Sequence, residues 1–289
     1  MGTFRAICIL IVFLTITILC IPVQWLAVKL HLPWRRGFPH HYHRIVCRLI
    51  GVRVTMLGEP VQDQGVLMAV NHTGWLDIPV LSACARVSFI SKAEVVNWPL
   101  FGLLARLQRT IFISRGDKTK MIQDRDRIRE RLVKGDALVI FPEGTSTDGN
   151  RVLEFKSAFL SAAELPIGED ADKHVRHALV QPVSIAYVAL HGMPMGRENR
   201  PFFAWYGDME LVPHLWEAFE LGPIDVVVEF HKPLTVDEAG GRKELAALAE
   251  AAVRDGVARA LSGAHLEQPA HHDEALEEAL AEQDKEEAA

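Results

Sequence analysis

The sequence predicts an α/β fold: a mixed, largely parallel central sheet flanked by helices, with an N-terminal membrane-associated helix or helix pair. Three observations predict it. Short apolar runs alternate with helical stretches along most of the chain, the order that builds parallel strands through crossovers. One such run, 66–70, is apolar at every position, as a strand covered on both faces must be. Ahead of all of them, residues 6–23 carry no charge.

As a helix, that first run extends about 27 Å, just short of a bilayer's hydrocarbon core. Arg5 precedes it, whereas Lys29, Arg35 and Arg36 follow, which puts the following chain on the cytoplasmic side of the inner membrane if the segment spans. Pro22 and the amphipathic continuation from Trp25 to Trp34 allow a second arrangement, a helix pair lying in one leaflet. No small-x-small site follows the run, so it reads as retained rather than cleaved. The next helix carries Phe38, Tyr42, Ile45, Val46, Leu49 and Ile50 on one stripe, with Arg44 and Arg48 off it. His40, His41 and His43 lack cysteine or carboxylate partners at ligand spacing and read as a polar patch, not a metal site.

Strands are expected at 52–57, 66–70, 87–91, 110–114, 137–141, 179–187 and 225–230. Helices are expected from 76, near 99–108, and over 118–134, 156–164 and 238–261. The Gly-, Pro- and Arg-rich stretch 190–205 reads as a long loop. Three units follow: an anchor at 1–36, a folded domain at 37–264 and an acidic tail at 265–289 outside the fold.

The 289 residues carry a net charge of −6 and have a mean hydropathy of +0.11. Taken whole, the charge suggests an acidic soluble protein. Its distribution says otherwise: residues 1–131 carry 18 Lys and Arg against 8 Asp and Glu, while the tail has one Lys against nine acids. The basic half is also the apolar half, which suits contact with anionic lipid. Basic residues are scattered without interleaved aromatics, so nucleic acid is not an expected partner. Four cysteines in so long a chain exclude a disulfide scaffold.

Polar residues at three strand ends carry the chemistry. In Asn71-His72-Thr73-Gly74-Trp75-Leu76-Asp77, an offset of five would place His72 and Asp77 about 140° apart on a continuous helix. With His72 on a turn, Gly74 allowing the bend and Asp77 in the first turn of a helix, the two meet. The carboxylate then orients the imidazole, and with no serine nearby the pair suits a general base acting on a substrate hydroxyl. Phe112-Ile113-Ser114-Arg115 ends a strand in a guanidinium, a natural clamp for carboxylate or phosphate. In Phe141-Pro142-Glu143-Gly144-Thr145, Glu143 and Thr145 can hold a polyol head group while Gly144 permits close approach.

These blocks, in this order and followed by Val180-Gln181-Pro182-Val183, resemble the glycerophospholipid acyltransferases across residues 50–190. The likeness is greatest to 1-acyl-sn-glycerol-3-phosphate (lysophosphatidate) acyltransferases. It implies acyl transfer from acyl-CoA or acyl carrier protein to a lysophospholipid hydroxyl, with no further cofactor. It makes His72 the base and Asp77 its orienter, has Arg115, Glu143, Gly144 and Thr145 bind the acceptor, and lets Pro182 shape the site. Lys92, in Ile90-Ser91-Lys92-Ala93-Glu94, would approach an acceptor phosphate. Where the family often has Ser or Thr this chain has Gly74, and where it often has Arg this chain has Ser146. The stretch from Ser146 to Lys156 instead resembles a branch of lyso-ornithine-lipid acyltransferases, whose acceptor lacks phosphate.

Two rivals remain at this level. Cys47 or Cys84 could form a covalent acyl-enzyme, although neither has a histidine beside it in sequence to act as its base. An inactive lipid-binding or scaffold protein would explain the anchor and the charge pattern, but not the His72, Asp77, Arg115 and Glu143 set. The stretch 98–107 could wall an acyl-chain tunnel or simply pack in the core.

Overall fold

A computed structural model describes residues 2–114, 118–169 and 175–266. The first half runs α1 (Gly2–Lys29), α2 (Phe38–Ile50), β1 (Val52–Leu57), β2 (Val66–Val70), α3 (Asp77–Cys84), β3 (Val87–Lys92), α4 (Phe101–Leu107), β4 (Ile111–Ile113), α5 (Lys118–Val133) and β5 (Ala137–Ile140). The second half runs β6 (Pro166–Glu169), β7 (Val175–His177), β8 (Leu179–Leu190), β9 (Met193–Pro194), α6 (Leu211–Leu221), β10 (Ile224–Phe230) and α7 (Arg242–Ser262).

The main sheet has the order β1-β10-β8-β2-β5-β3-β4, with β9 paired to the end of β8. Along that path only β10 and β8 pair antiparallel. The fold is therefore the mixed, largely parallel sheet read from the sequence. β2 lies between β8 and β5, and every residue of it is buried.

Strand pleating sorts residues between two cores. From β2, Val66, Met68 and Val70 face one core, while Leu67 and Ala69 face the other. In β5, Ala137 and Val139 join the first, and Leu138 and Ile140 the second. Residues of α1, α2, α3 and α6 cover the first face; α5 and α7 cover the second. On the second face α7 buries Leu245, Ala246, Ala249, Ala252, Val253, Gly256, Val257 and Ala260 at helical spacing. Its small side chains let it approach closely. A Cβ on Gly256 would stand 2.3 Å from Ser184 Oγ of β8.

α1 is long and apolar enough to cross a membrane, yet it lies along the domain. At about 1.5 Å per residue its length exceeds a hydrocarbon core. Ala6, Ile9, Thr17, Gln24 and Ala27 form its buried stripe. Polar tethers hold it at three heights. The Arg5 guanidinium donates to Phe219 O and Ile50 O. The Thr17 and Tyr42 hydroxyls share a hydrogen bond of 2.7 Å. Gln24 Nε2 donates to Leu107 O at 2.9 Å and to Arg35 O at 3.0 Å. The opposite face leaves Phe4, Ile11, Ile18, Leu19, Trp25 and Leu26 exposed.

Several expectations change. The helix expected over 156–164 is a single 3-10 turn, Ser157–Leu160, because Lys156 N–H donates back to Pro142 O and fixes the chain there. The stretch 190–205 is partly ordered, with β9 and a 3-10 turn, Arg200–Phe203. α6 was not read from the sequence, although Leu211, Val212, Leu215, Trp216 and Phe219 have helical spacing. In α2, Ile45 belongs to the expected stripe but is exposed, and Cys47 is buried instead. Tail residues 267–289 lie outside the described residues.

Candidate active site

The pleat of β2 continues past its end. Val66, Met68 and Val70 face the first core, and the next residue of that parity is His72, on the turn into α3. Asn71 stabilises the turn from the side: its Nδ2 donates to Ile185 O at 2.9 Å and its Oδ1 accepts from Ile185 N–H at 2.9 Å. Asp77 is completely buried in the first turn of α3. Its Oδ2 accepts from His72 Nδ1 at 2.7 Å, Thr73 N–H at 2.7 Å and Gly74 N–H at 3.0 Å. Its Oδ1 accepts from Tyr187 OH at 2.7 Å and Thr73 Oγ1 at 3.2 Å. A carboxylate so surrounded is fixed in place, and the proton between it and the imidazole belongs to Nδ1. Nε2 is left as an acceptor with no partner among the described residues.

The strand beside β2 supplies the back of the site. Phe141 follows β5 with the same parity and stacks on the His72 ring, centroids 3.9 Å apart. Glu143 is 1% exposed, and its Oε1 accepts from His72 N–H at 3.2 Å. Burial pushes its carboxyl up to about 8, against the opposing effect of the His72 and Leu153 N–H groups. Glu143 Oε2 has no hydrogen-bond partner among the described residues. Thr147 N–H then donates to His72 O at 2.9 Å. The loop after β5 thus holds the His72 backbone at both its N–H and its carbonyl.

His72 opens onto an apolar cavity of about 470 Å³. α1 contributes Phe13, Thr17 and Ile21 to its wall, α2 contributes Tyr42 and Val46, and α6 contributes Leu215 and Phe219. Trp98 and Trp205 meet edge to face beside it, centroids 5.7 Å apart. An imidazole on the wall of an apolar cavity can take a proton from a hydroxyl delivered on a lipid chain.

Residues 52–186 match the Acyltransferase family. The chain is 44% identical to the lyso-ornithine lipid O-acyltransferase of Brucella abortus, over 92% of this chain and 98% of that one. It is 30% identical to the 1-acyl-sn-glycerol-3-phosphate acyltransferase of Neisseria gonorrhoeae, over 69% and 72% respectively. This chain belongs to the acyltransferase family. Its fold is shared with the crystal structure of the 1-acyl-sn-glycerophosphate acyltransferase from Thermotoga maritima: the TM-score is 0.61 at 20% identity, covering 90% of this chain and 97% of that one.

The other residues expected from the sequence to bind substrate are placed unequally. Arg115 lies outside the described residues. Glu143 is buried beneath the turn, so its carboxyl group contacts the His72 backbone and not the open cavity. Gly144 is left-handed at φ +73°, and a Cβ there would stand 3.1 Å from Phe159. Thr145 and Lys92 are exposed, and neither is among the residues that wall the cavity. Pro182 is buried within β8 opposite Ala69; it shapes the strand and does not line the cavity. From the stretch 98–107, Trp98, Leu100, Phe101, Leu104, Ala105 and Leu107 all line the cavity.

Both rival nucleophiles are poorly suited to attack. Burial pushes the Cys47 and Cys84 thiols up to about 12, far from the thiolate that a nucleophile requires. His40 and His43 are tied to Ser82 of α3, with Nδ1 of His40 2.8 Å from Ser82 O and Nδ1 of His43 2.9 Å from Ser82 Oγ. Two site residues escaped the sequence reading, Tyr187 and Phe141. Tyr187 lies within β8 and Phe141 just past β5, and only register brings them to Asp77 and His72.

Proposed function

We propose that this acyltransferase moves an acyl group from acyl-CoA or acyl carrier protein to the free hydroxyl of a lyso-ornithine lipid at the cytoplasmic face of a membrane. The observation that carries the reaction is the 2.7 Å contact between His72 Nδ1 and Asp77 Oδ2 on the wall of the apolar cavity. With Nδ1 donating to Asp77, Nε2 takes the acceptor's hydroxyl proton as the oxygen attacks the thioester carbonyl. The tetrahedral intermediate collapses, the thiolate leaves, and the proton on His72 passes to it. Such a base contributes about 10²–10⁴-fold, and holding both substrates in place contributes more. The cavity receives an acyl chain, and Glu143 serves the reaction through the His72 turn.

This ordering of acceptors reverses the one drawn from the motifs, where 1-acyl-sn-glycerol-3-phosphate came first. Two things support the change: Ser146 stands where a phosphate-binding Arg is common, and the Brucella relative matches nearly the full length. The lengthwise packing of α1 favours a helix lying in one leaflet over a freestanding span, since its buried stripe needs the domain beside it.

The purified protein, offered both donors against lyso-ornithine lipid and 1-acylglycerol-3-phosphate, tests the reading. Acylation of lyso-ornithine lipid at the higher kcat/KM is expected. Turnover of 1-acylglycerol-3-phosphate alone would overturn the acceptor, and wild-type rates from a folded His72→Ala protein would overturn the mechanism.

A further inference from the structure

Two segments rest on the His72 turn and carry charges that proton transfer does not use. The first is the loop 147–151. Besides the Thr147 contact with His72 O, the Thr147 hydroxyl donates to Arg151 O at 3.2 Å and closes the loop. Gly149 is left-handed at φ +76°, and a Cβ there would lie 3.0 Å from Thr73 Cγ2. The second segment is 197–205. Trp205 N–H donates to Thr73 O at 2.9 Å. Gly74 makes this approach possible, because a Cβ there would lie 2.8 Å from Trp205 N. Asn150 joins the segments: its Oδ1 accepts from Arg200 NH1 at 3.0 Å, and its Nδ2 donates to Arg197 O at 3.2 Å.

The charges on this platform make no close ion pair with one another among the described residues. Asp148 accepts only from Asn150, from the backbone N–H at 3.0 Å and from Nδ2 at 3.1 Å. Partial burial opposes its ionisation, but the Asn150 donors and the nearby Arg151 and Arg197 hold it below the usual carboxylate range. Among the described residues no cation makes a close ion pair with Asp148, and the exposed guanidiniums of Arg151 and Arg197 make no hydrogen bond, acting on Asp148 only at longer range. Arg200 Nε is buried and also unpartnered. An ionised acid beside guanidiniums free to hold a ligand is complementary to a group bearing both charges, and the acid itself disfavours a group bearing only negative ones.

We infer that the two segments form a clamp for a zwitterionic head group, Asp148 taking its ammonium and Arg151 with Arg197 taking its carboxylate. The inference rests on the lyso-ornithine acceptor proposed above. An acylated ornithine keeps one free ammonium and one carboxylate, separated by its side-chain methylenes. A phosphate monoester in the same place finds the two arginines but meets Asp148 with like charge, so the acid selects against it.

The test compares three acceptors with a fixed donor: lyso-ornithine lipid, the same lipid built on norvaline, which lacks the ammonium, and 1-acylglycerol-3-phosphate. Wild-type protein should prefer ornithine over norvaline by about tenfold in kcat/KM, the size of one charge-assisted contact. Asp148→Asn should raise KM for the ornithine lipid about tenfold with kcat nearly unchanged, leave the norvaline lipid unaffected and improve use of the phosphate acceptor. Arg197→Ala should weaken the ornithine and norvaline lipids alike. A wild type indifferent to the ammonium, or an Asp148→Asn protein changed equally on all three acceptors, overturns the clamp while the acceptor reading stands. A wild type that turns over only the phosphate acceptor overturns that reading, and the clamp falls with it.

Discussion

The face of the sheet covered by α1, α2, α3 and α6 and the face covered by α5 and α7 are both apolar, but the first leaves a space of about 470 Å³. On the far face, alanines and Gly256 bring α7 close enough to fill the gap between helix and strand. On the cavity face, the covering helices present Phe13, Tyr42, Trp216 and Phe219, and their backbones are held by polar tethers instead of by interdigitated small residues. The difference teaches where chemistry can sit in this fold. A base on the filled face would meet packed methyl groups, whereas His72 follows the parity of Val66, Met68 and Val70 into the open one.

The largest way to sharpen that contrast is His72→Ala. Because His72 is the proposed base, its loss should lower turnover by about 10²–10⁴-fold, while the protein stays folded even though the ring's stacking on Phe141 is lost. Steady-state rates and a thermal melt on one preparation check both halves.

Glu143→Gln acts where the two faces meet, since Glu143 contacts His72 on one side and lies near Glu250 of α7 on the other. A carboxyl raised from 4.5 to about 8 by folding stabilises the native state fully below pH 4.5, and that contribution is lost as pH rises towards 8. Wild-type stability should therefore decline across that window by roughly a few kcal/mol, and the glutamine protein should lack this slope. Denaturant melts from pH 4.5 to 8.5 read it directly; an unchanged slope in the variant would remove Glu143 as its source.

Gly256→Ala tests the far face. The new methyl group would overlap Ser184 Oγ, so stability should drop by about 1–3 kcal/mol while the activity of each folded molecule is kept. On the cavity face Leu104→Trp should do the opposite, reducing activity on long acyl donors relative to short ones with little effect on folding. Tyr187→Phe has the smallest expected effect: it removes one of the donors to Asp77 and should cost about 1 kcal/mol, a several-fold fall in kcat.

Much of this was legible in the residues, and the boundary has a physical cause. The alternation of strands and helices, the buried run at β2 and the turn that lets His72 reach Asp77 depend on local periodicity and on the bend at Gly74. Tyr187 and Phe141 depend on which strand neighbours which, and nothing local to either residue states that. Glu143 was recognisable as a site residue by motif, yet its burial beneath the turn follows from the path of the loop after β5. α6 carried a readable period, but Pro213 in its first turn and the loop residues before it broke the pattern.

The tethers on α1 bear on how the protein can be handled. A version made water-soluble by deleting the first 29 residues would lose Phe13, Thr17 and Ile21 from the cavity wall and the partners of Tyr42, Leu107 and Ile50. Under the proposed reaction, water would then reach the thioester beside His72, and hydrolysis would compete with transfer. Fusing a foreign anchor to such a truncation would return the protein to the bilayer without restoring that wall. In this enzyme the segment that a cloning strategy would discard as an address is part of the reaction vessel.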